Sequence, residues 1–221
     1  MKPDWTVALA RLENELNIGD DAIGIFALQL KFRLEDLESV AAESITGGGD
    51  DKKCDVVHVD KEQQIAVIAQ CYKSRKQRPN APANKASDLN TAVSWLLSAE
   101  LRTLPIGLRS RAAELRDAIE GGLIKQIFVW YVHNLPSSKQ VADELKTVER
   151  TARSALRSFQ SGGEINVFAE EISATQLEKF YVQAERVIFV TDSIKTRVPE
   201  AMEVSGGSWT SLVTSVSGRW L

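Results

Sequence analysis

Trp5, Leu9, Leu12 and Leu16 recur at spacings of four, three and four, which predicts an amphipathic helix at the start of the chain. Phe26, Leu30, Leu34 and Leu37 repeat the period and predict a second helix from about Asp20 to Ala42, with Asp20 or Asp21 at its start. The stretch "TGGGDDKK" ends the helical pattern. Two runs rich in Val and Ile follow, "CDVVHVD" (54–60) and "QIAVIAQCY" (64–72), on either side of the polar turn "DKEQQ". They predict a β-hairpin. The second run is apolar from Ile65 to Ala69, as suits a central strand covered on both faces.

Beyond the loop "KSRKQRPNAPANKAS", residues 87–104 and 107–120 read as helices broken near Pro105, with Gly121 and Gly122 closing the second. "KQIFVWYVH" (125–133) predicts a buried strand. A long helix follows over 137–159, with Ser137 and Gln140 at capping-box spacing. "EINVFAEEI" (164–172) is a strand. Ser173 and Gln176 repeat the capping spacing before the helix "ATQLEKFYVQA", and "RVIFVT" (186–191) is a further strand. This alternation implies parallel crossovers. The fold class is therefore α/β, a mixed central sheet flanked by helices. Residues 1–192 form this domain. Residues 193–221, rich in Ser, Thr and Gly with a strand over 209–216, form an extension. The chain stops at "GRWL", just after an apolar segment begins, and so reads as a fragment with a domain to follow downstream.

Composition narrows the function classes. Of 221 residues, 43% are hydrophobic and 26% charged, the balance of a globular chain. A net charge of −3 excludes a uniformly basic nucleic-acid binder, so such binding must use a local patch. No apolar run nears the roughly 18 residues of a membrane span, and the N-terminus lacks a signal-peptide core. Two cysteines and two histidines form neither a disulfide scaffold nor a zinc pattern. These features point to a reducing, cytoplasmic setting with no membrane partner.

The hairpin places the candidate chemistry. With its turn centred near Glu62, paired residues sum to about 125, which sets Asp55 opposite Gln70 and Cys54 opposite Cys71. Asp55 and Gln70 then offer two oxygen ligands on one side of the sheet, of the kind Mg²⁺ or Mn²⁺ takes. The two cysteines are expected as neighbours on the other side. An Asp before a strand also serves as a turn residue, and a Gln also finishes a strand. Between Lys73 and Lys85 lie five cations, Lys73, Arg75, Lys76, Arg78 and Lys85, and no acid. Such a segment either grips a phosphate backbone or is a solvated loop. Asn84 and Lys85 fall near a helix start, where Asp88 is expected as the cap. Phe128, Trp130 and Tyr131 read as core, His133 as a polar strand-end residue, and His58 as facing away from Asp55.

The segment "GGGDDKKCDVVHVDKEQQIAVIAQCYKS", followed by "NKASDLNTAVSWLL", resembles the N-terminal region of the abortive-infection phage-resistance (AIPR) family. That region is related to the PD-(D/E)XK restriction-endonuclease-like fold. The resemblance is best over residues 47–97, and the closing "SLVTSVSGRWL" looks like the approach to the family's larger downstream domain. It implies a metal-dependent nuclease domain of a prokaryotic phage-defence protein, hydrolysing phosphodiesters of DNA or RNA. Asp55 and Gln70 would be catalytic metal ligands. The related fold often adds an acid from a preceding helix, for which Glu35, Glu38 and Glu43 are candidates and Glu43 is nearest the strand; Asp50 and Asp51 are also available. Lys73 would be the catalytic cation. The family's second strand ends Gln-x-Lys-Tyr, whereas this chain has Gln70, Cys71, Tyr72, Lys73. Side chains alternate along a strand, so Tyr72 shares the Gln70 face and Lys73 points away unless the strand end re-aims it. The alternative is a catalytically inactive nuclease-fold module that binds nucleic acid or a partner, including the downstream domain. Assembly into a homo-oligomer is compatible with either.

Overall fold

The computed structural model describes residues 4–47, 51–160, 162–185, 202–206 and 210–213. They form two compact units, residues 1–186 and 187–221. In the first unit the order is α1 (Trp5–Leu16), α2 (Ala22–Phe32), α3 (Leu37–Ser44), β1 (Val56–Asp60), β2 (Ile65–Tyr72), α4 (Ala83–Ser98), α5 (Ile106–Glu120), β3 (Gln126–His133), α6 (Lys139–Leu156), β4 (Asn166–Ile172) and α7 (Ala174–Glu185). Short 3-10 turns precede α2, α5 and β4. The second unit contains a two-stranded antiparallel ladder, β5 (Met202–Ser205) with β6 (Thr210–Val213). The expected strand over 186–191 lies outside the described residues.

The four strands of the main sheet lie in chain order. β1 and β2 are antiparallel, and β2, β3 and β4 run parallel. The mixed sheet flanked by helices is thus as expected. The pleat sends alternate side chains to two separate cores. Val57, Ala66, Ile68, Val129, Tyr131 and Val167 pack under α4, α5 and α6. Val56, Val67, Ala69, Phe128, Trp130 and Val132 pack under α1, α2, α3 and α7.

The hairpin register matches the expectation, with Val56 opposite Ala69 and Asp60 opposite Ile65. Asp60 fixes the turn by accepting from the backbone N–H groups of Glu62 and Gln63, and Gln64 closes it at φ 58°.

Five local expectations are corrected. The helix over 20–42 is two helices, because Arg33 turns left-handed at φ 56° and Asp36 caps a new start at Leu37 by accepting from Ser39 N–H. The helix expected from residue 87 begins at Ala83, with Pro82 before it. Asp88 therefore lies in its second turn, 3.9 Å from Lys85, and does not cap it. The cap of α6 is Ser138, whose hydroxyl accepts from Val141 N–H, and not Ser137. Finally, Cys54 and Cys71 do not share a face. Cys54 belongs to the turn before β1 and joins the α4–α6 core, while Cys71 packs on the α1–α3 side. Burial, then the charge of Asp55, pushes both thiols up and out of the reactive range.

α2 crosses the hairpin at Gly24. A Cβ there would stand 2.6 Å from Cys71 Sγ and 2.9 Å from Val56 Cγ2. Gly24→Ala is expected to cost about 1–2 kcal/mol, overpacking outweighing the roughly 1 kcal/mol gain in helix propensity. Urea denaturation reads the loss; an unchanged midpoint would mean that α2 can lift off the hairpin freely.

Candidate functional site

Asp55 immediately precedes β1, and its backbone N–H donates to Ala69 O at 2.9 Å. Ala69 thus faces Val56 in the ladder and also receives Asp55, one residue out of register, and the side chains bring Asp55 against Gln70. Gln70 Nε2 donates to Asp55 Oδ2 at 2.6 Å, and Cys71 N–H donates to the same oxygen at 2.6 Å. Two of the expected site residues are therefore in direct contact.

Burial pushes the Asp55 carboxyl up to about 7; the Cys71 N–H works against this, and the charges of Asp21 and Asp51 add to it. Asp21, just before α2, is likewise pushed up to about 6 by burial and by Asp51 and Asp20. The acids grouped around Asp55 are thus Asp21 and Asp51, and not the expected Glu43. Glu43 lies exposed on α3, where its charge acts on His58. Glu35 and Glu38 are exposed as well. Asp50 lies outside the described residues.

Lys73 does not reach the pair. Its ammonium is bonded to the Glu13 carboxylate on α1. The alternation of β2 explains this. Cys71 packs on the α1–α3 side, and Lys73, two residues on, follows it there, while Gln70 and Tyr72 lean toward α4.

The cation-rich loop is pinned at its root. Asn134, after β3, accepts from Ser74 N–H at 2.8 Å and donates to Ser74 O at 2.9 Å. Beyond it Arg75, Lys76 and Arg78 are exposed. An open cleft of about 540 Å³ runs between Gln77, Arg78 and Pro79 on this loop and Asn134, Leu135 and Pro136 after β3. Lys85 sits in the first turn of α4. A second cleft of about 510 Å³, lined by Arg11, Phe26, Leu30, Arg33 and Tyr181, is formed mainly by α1, α2 and α7 and includes none of these residues.

A buried polar pair joins β3 to β4 beside the site. His133 is fully buried, and its Nε2 lies 3.0 Å from Glu171 Oε1. Leu135 N–H donates to His133 Nδ1 at 3.2 Å, so the ring proton sits on Nε2 and points at Glu171. Glu171 also accepts from Ser138 N–H at 3.2 Å, at the start of α6. His133 ends β3 as expected, and it is buried there as an internal anchor. The sheet register sets Gln70, Tyr131 and Glu171 in one row on β2, β3 and β4, and Asp55 joins the row through its bond with Gln70. The signal available in the sequence was that Gln70, Tyr131 and Glu171 each fall near the end of a predicted parallel strand, on one parity.

Among the described residues, no group of three or more His, Cys, Asp or Glu side chains is placed to hold a metal ion. Asp55 and Gln70 have the oxygen chemistry for Mg²⁺, yet Gln70 turns an N–H toward Asp55, and the oxygen it meets is already shared with Cys71 N–H. The residues present fit such an ion in kind but not in arrangement. No helix among the described residues is long and apolar enough to cross a membrane. Comparison with protein-family models, with characterised proteins and with solved structures gives no match for this chain.

Proposed function

We propose that this chain is a nucleic-acid-binding module of nuclease-like design that does not itself cut the phosphodiester, acting within a prokaryotic phage-defence protein. The observation that carries the reading is the Lys73–Glu13 bond. It removes from the Asp55–Gln70 pair the cation that would offset charge on a cleaved phosphate. Burial first, with the charges of Asp21 and Asp51 adding to it, raises the Asp55 carboxyl to about 7, so part of it carries a proton near neutral pH. What remains for function is the basic loop, held at Ser74 and Asn134 and presenting Arg75, Lys76 and Arg78 to solvent. Cations on a fixed loop neutralise backbone phosphates and release counterions, which gives binding to DNA or RNA without sequence readout.

The test is fluorescence-anisotropy binding of labelled DNA and RNA over a salt series. Arg75, Lys76 and Arg78 replaced together by Ala should weaken binding at least tenfold and flatten the salt slope by roughly 2–3. Binding that ignores the three substitutions overturns the reading. The second reading, a Mg²⁺- or Mn²⁺-dependent nuclease using Asp55 and Gln70, rests on their contact; it is the outcome if either strand is cut in a metal-dependent way that Asp55→Ala abolishes.

A further inference from the structure

Three buried side-chain atoms among the described residues lack a hydrogen-bond partner: His58 Nε2, Gln70 Oε1 and Tyr131 Oη. His58 lies on the α1–α3 side of β1, where its Nδ1 meets Ser44 Oγ. The other two are neighbours. Gln70 and Tyr131 are register partners on adjacent parallel strands, and both lean toward α4–α6. Gln70 is 5% exposed and Tyr131 is 0% exposed, so bulk water does not reach either. One is an acceptor without a donor and the other is a hydroxyl with a proton to give.

We propose that Tyr131 is a positioning residue for the Asp55–Gln70 pair, its hydroxyl linked to Gln70 Oε1 through one buried water. A side-chain amide is oriented by its partners. Asp55 takes the Nε2 side. A donor on the Oε1 side adds to the cost of the reverse orientation, in which the amide would present oxygen to the Asp55 carboxylate. A water fits the bridging role, since the site is polar and offers it more than one partner.

The tyrosine is itself held in place. Its ring meets the His133 ring edge-on at 4.8 Å between centroids, and His133 is fixed by Glu171 and Leu135. The start of α6 thus sets the tyrosine, the tyrosine sets the amide, and the amide sets what Asp55 meets. This deepens the proposed function, on which its meaning for the site rests: a Gln70 locked with N–H toward Asp55 keeps its oxygen from a cation.

The experiment uses the full chain without nucleic acid or metal. Tyr131→Phe keeps the ring and deletes the hydroxyl. In ¹H–¹⁵N spectra it should shift the Gln70 side-chain amide signals more than backbone signals of neighbouring residues. Thermal denaturation of Tyr131→Phe, Gln70→Met and the double variant gives a second readout. Removing the hydroxyl should lower Tm in the parent and leave it unchanged or raise it in Gln70→Met, where the hydroxyl has already lost its acceptor. Equal Tm changes in both backgrounds, or unmoved Gln70 amide signals, overturn the proposal. Neither readout involves nucleic acid, so the result stands apart from the binding test above.

Discussion

Asp55→Asn is expected to stabilise the chain above pH 7, by about 2–4 kcal/mol, and to remove most of a pH dependence that the parent shows between about pH 4 and 7. In the unfolded chain Asp55 ionises near its ordinary value of 3.8, whereas in the folded chain burial and two nearby acids delay ionisation to about 7. Between those limits the folded state binds more protons than the unfolded one. Stability therefore falls as pH rises through that window, the reverse of what an ion-paired carboxylate gives. Asp21, pushed up to about 6, adds a smaller decline of the same sign. The acids whose pKa is lowered, Asp4, Asp36 and Asp143, act through local hydrogen bonds to Thr6, Ser39 and Lys146 and titrate below the window. Asn at position 55 keeps an oxygen for the Cys71 and Gln70 N–H groups and carries no charge to bury. Urea denaturation at a series of pH values from 4 to 8 decides the matter. A parent whose stability rises through this range, or an Asn variant with the parent's slope, would remove the basis for a neutral, metal-free Asp55.

The contact between Asp55 and Gln70 was legible in the sequence because a hairpin is a local device. A five-residue polar turn between two apolar runs fixes the pairing, and the pairing fixes which side chains meet. The face of Lys73 was legible for the same reason, since strand alternation alone sends it away from Gln70. Its partner was not. Glu13 lies 60 residues earlier on an amphipathic helix, and nothing in that helix's pattern says which strand end it will meet. Arg33 shows a different limit. It takes a left-handed conformation with no Gly or Asn to announce it, so a continuous apolar period concealed a helix break. That Asp21 and not Glu43 stands near Asp55 depends on α2 crossing the hairpin at Gly24, a packing that helix periodicity does not encode. Glu171 and His133 escaped because parallel register depends on crossover packing, which local sequence does not encode.

Glu171→Ala should be the more damaging change to the fold, with a loss of about 2–4 kcal/mol and a lower Tm. Glu171 accepts from two donors, the fully buried His133 Nε2–H and the half-buried Ser138 N–H at the start of α6. Alanine leaves both without it in space that water does not enter freely, and an unmet buried donor costs far more than an average hydrogen bond contributes. Glu171→Gln separates hydrogen bonding from charge. Its amide oxygen can still accept from His133, while the favourable interaction of a carboxylate with a helix N-terminus is lost, so about 1 kcal/mol should go. The damage should also be placed, not only sized. Amide hydrogen exchange at Ser138 and Val141 should quicken in Glu171→Ala before exchange in β1 does, because α6 is freed at its start while the hairpin keeps its own register. A Glu171→Ala chain as stable as the parent, or one that loosens β1 first, would mean that the polar row is a string of separate contacts and that the start of α6 exerts no hold on Tyr131.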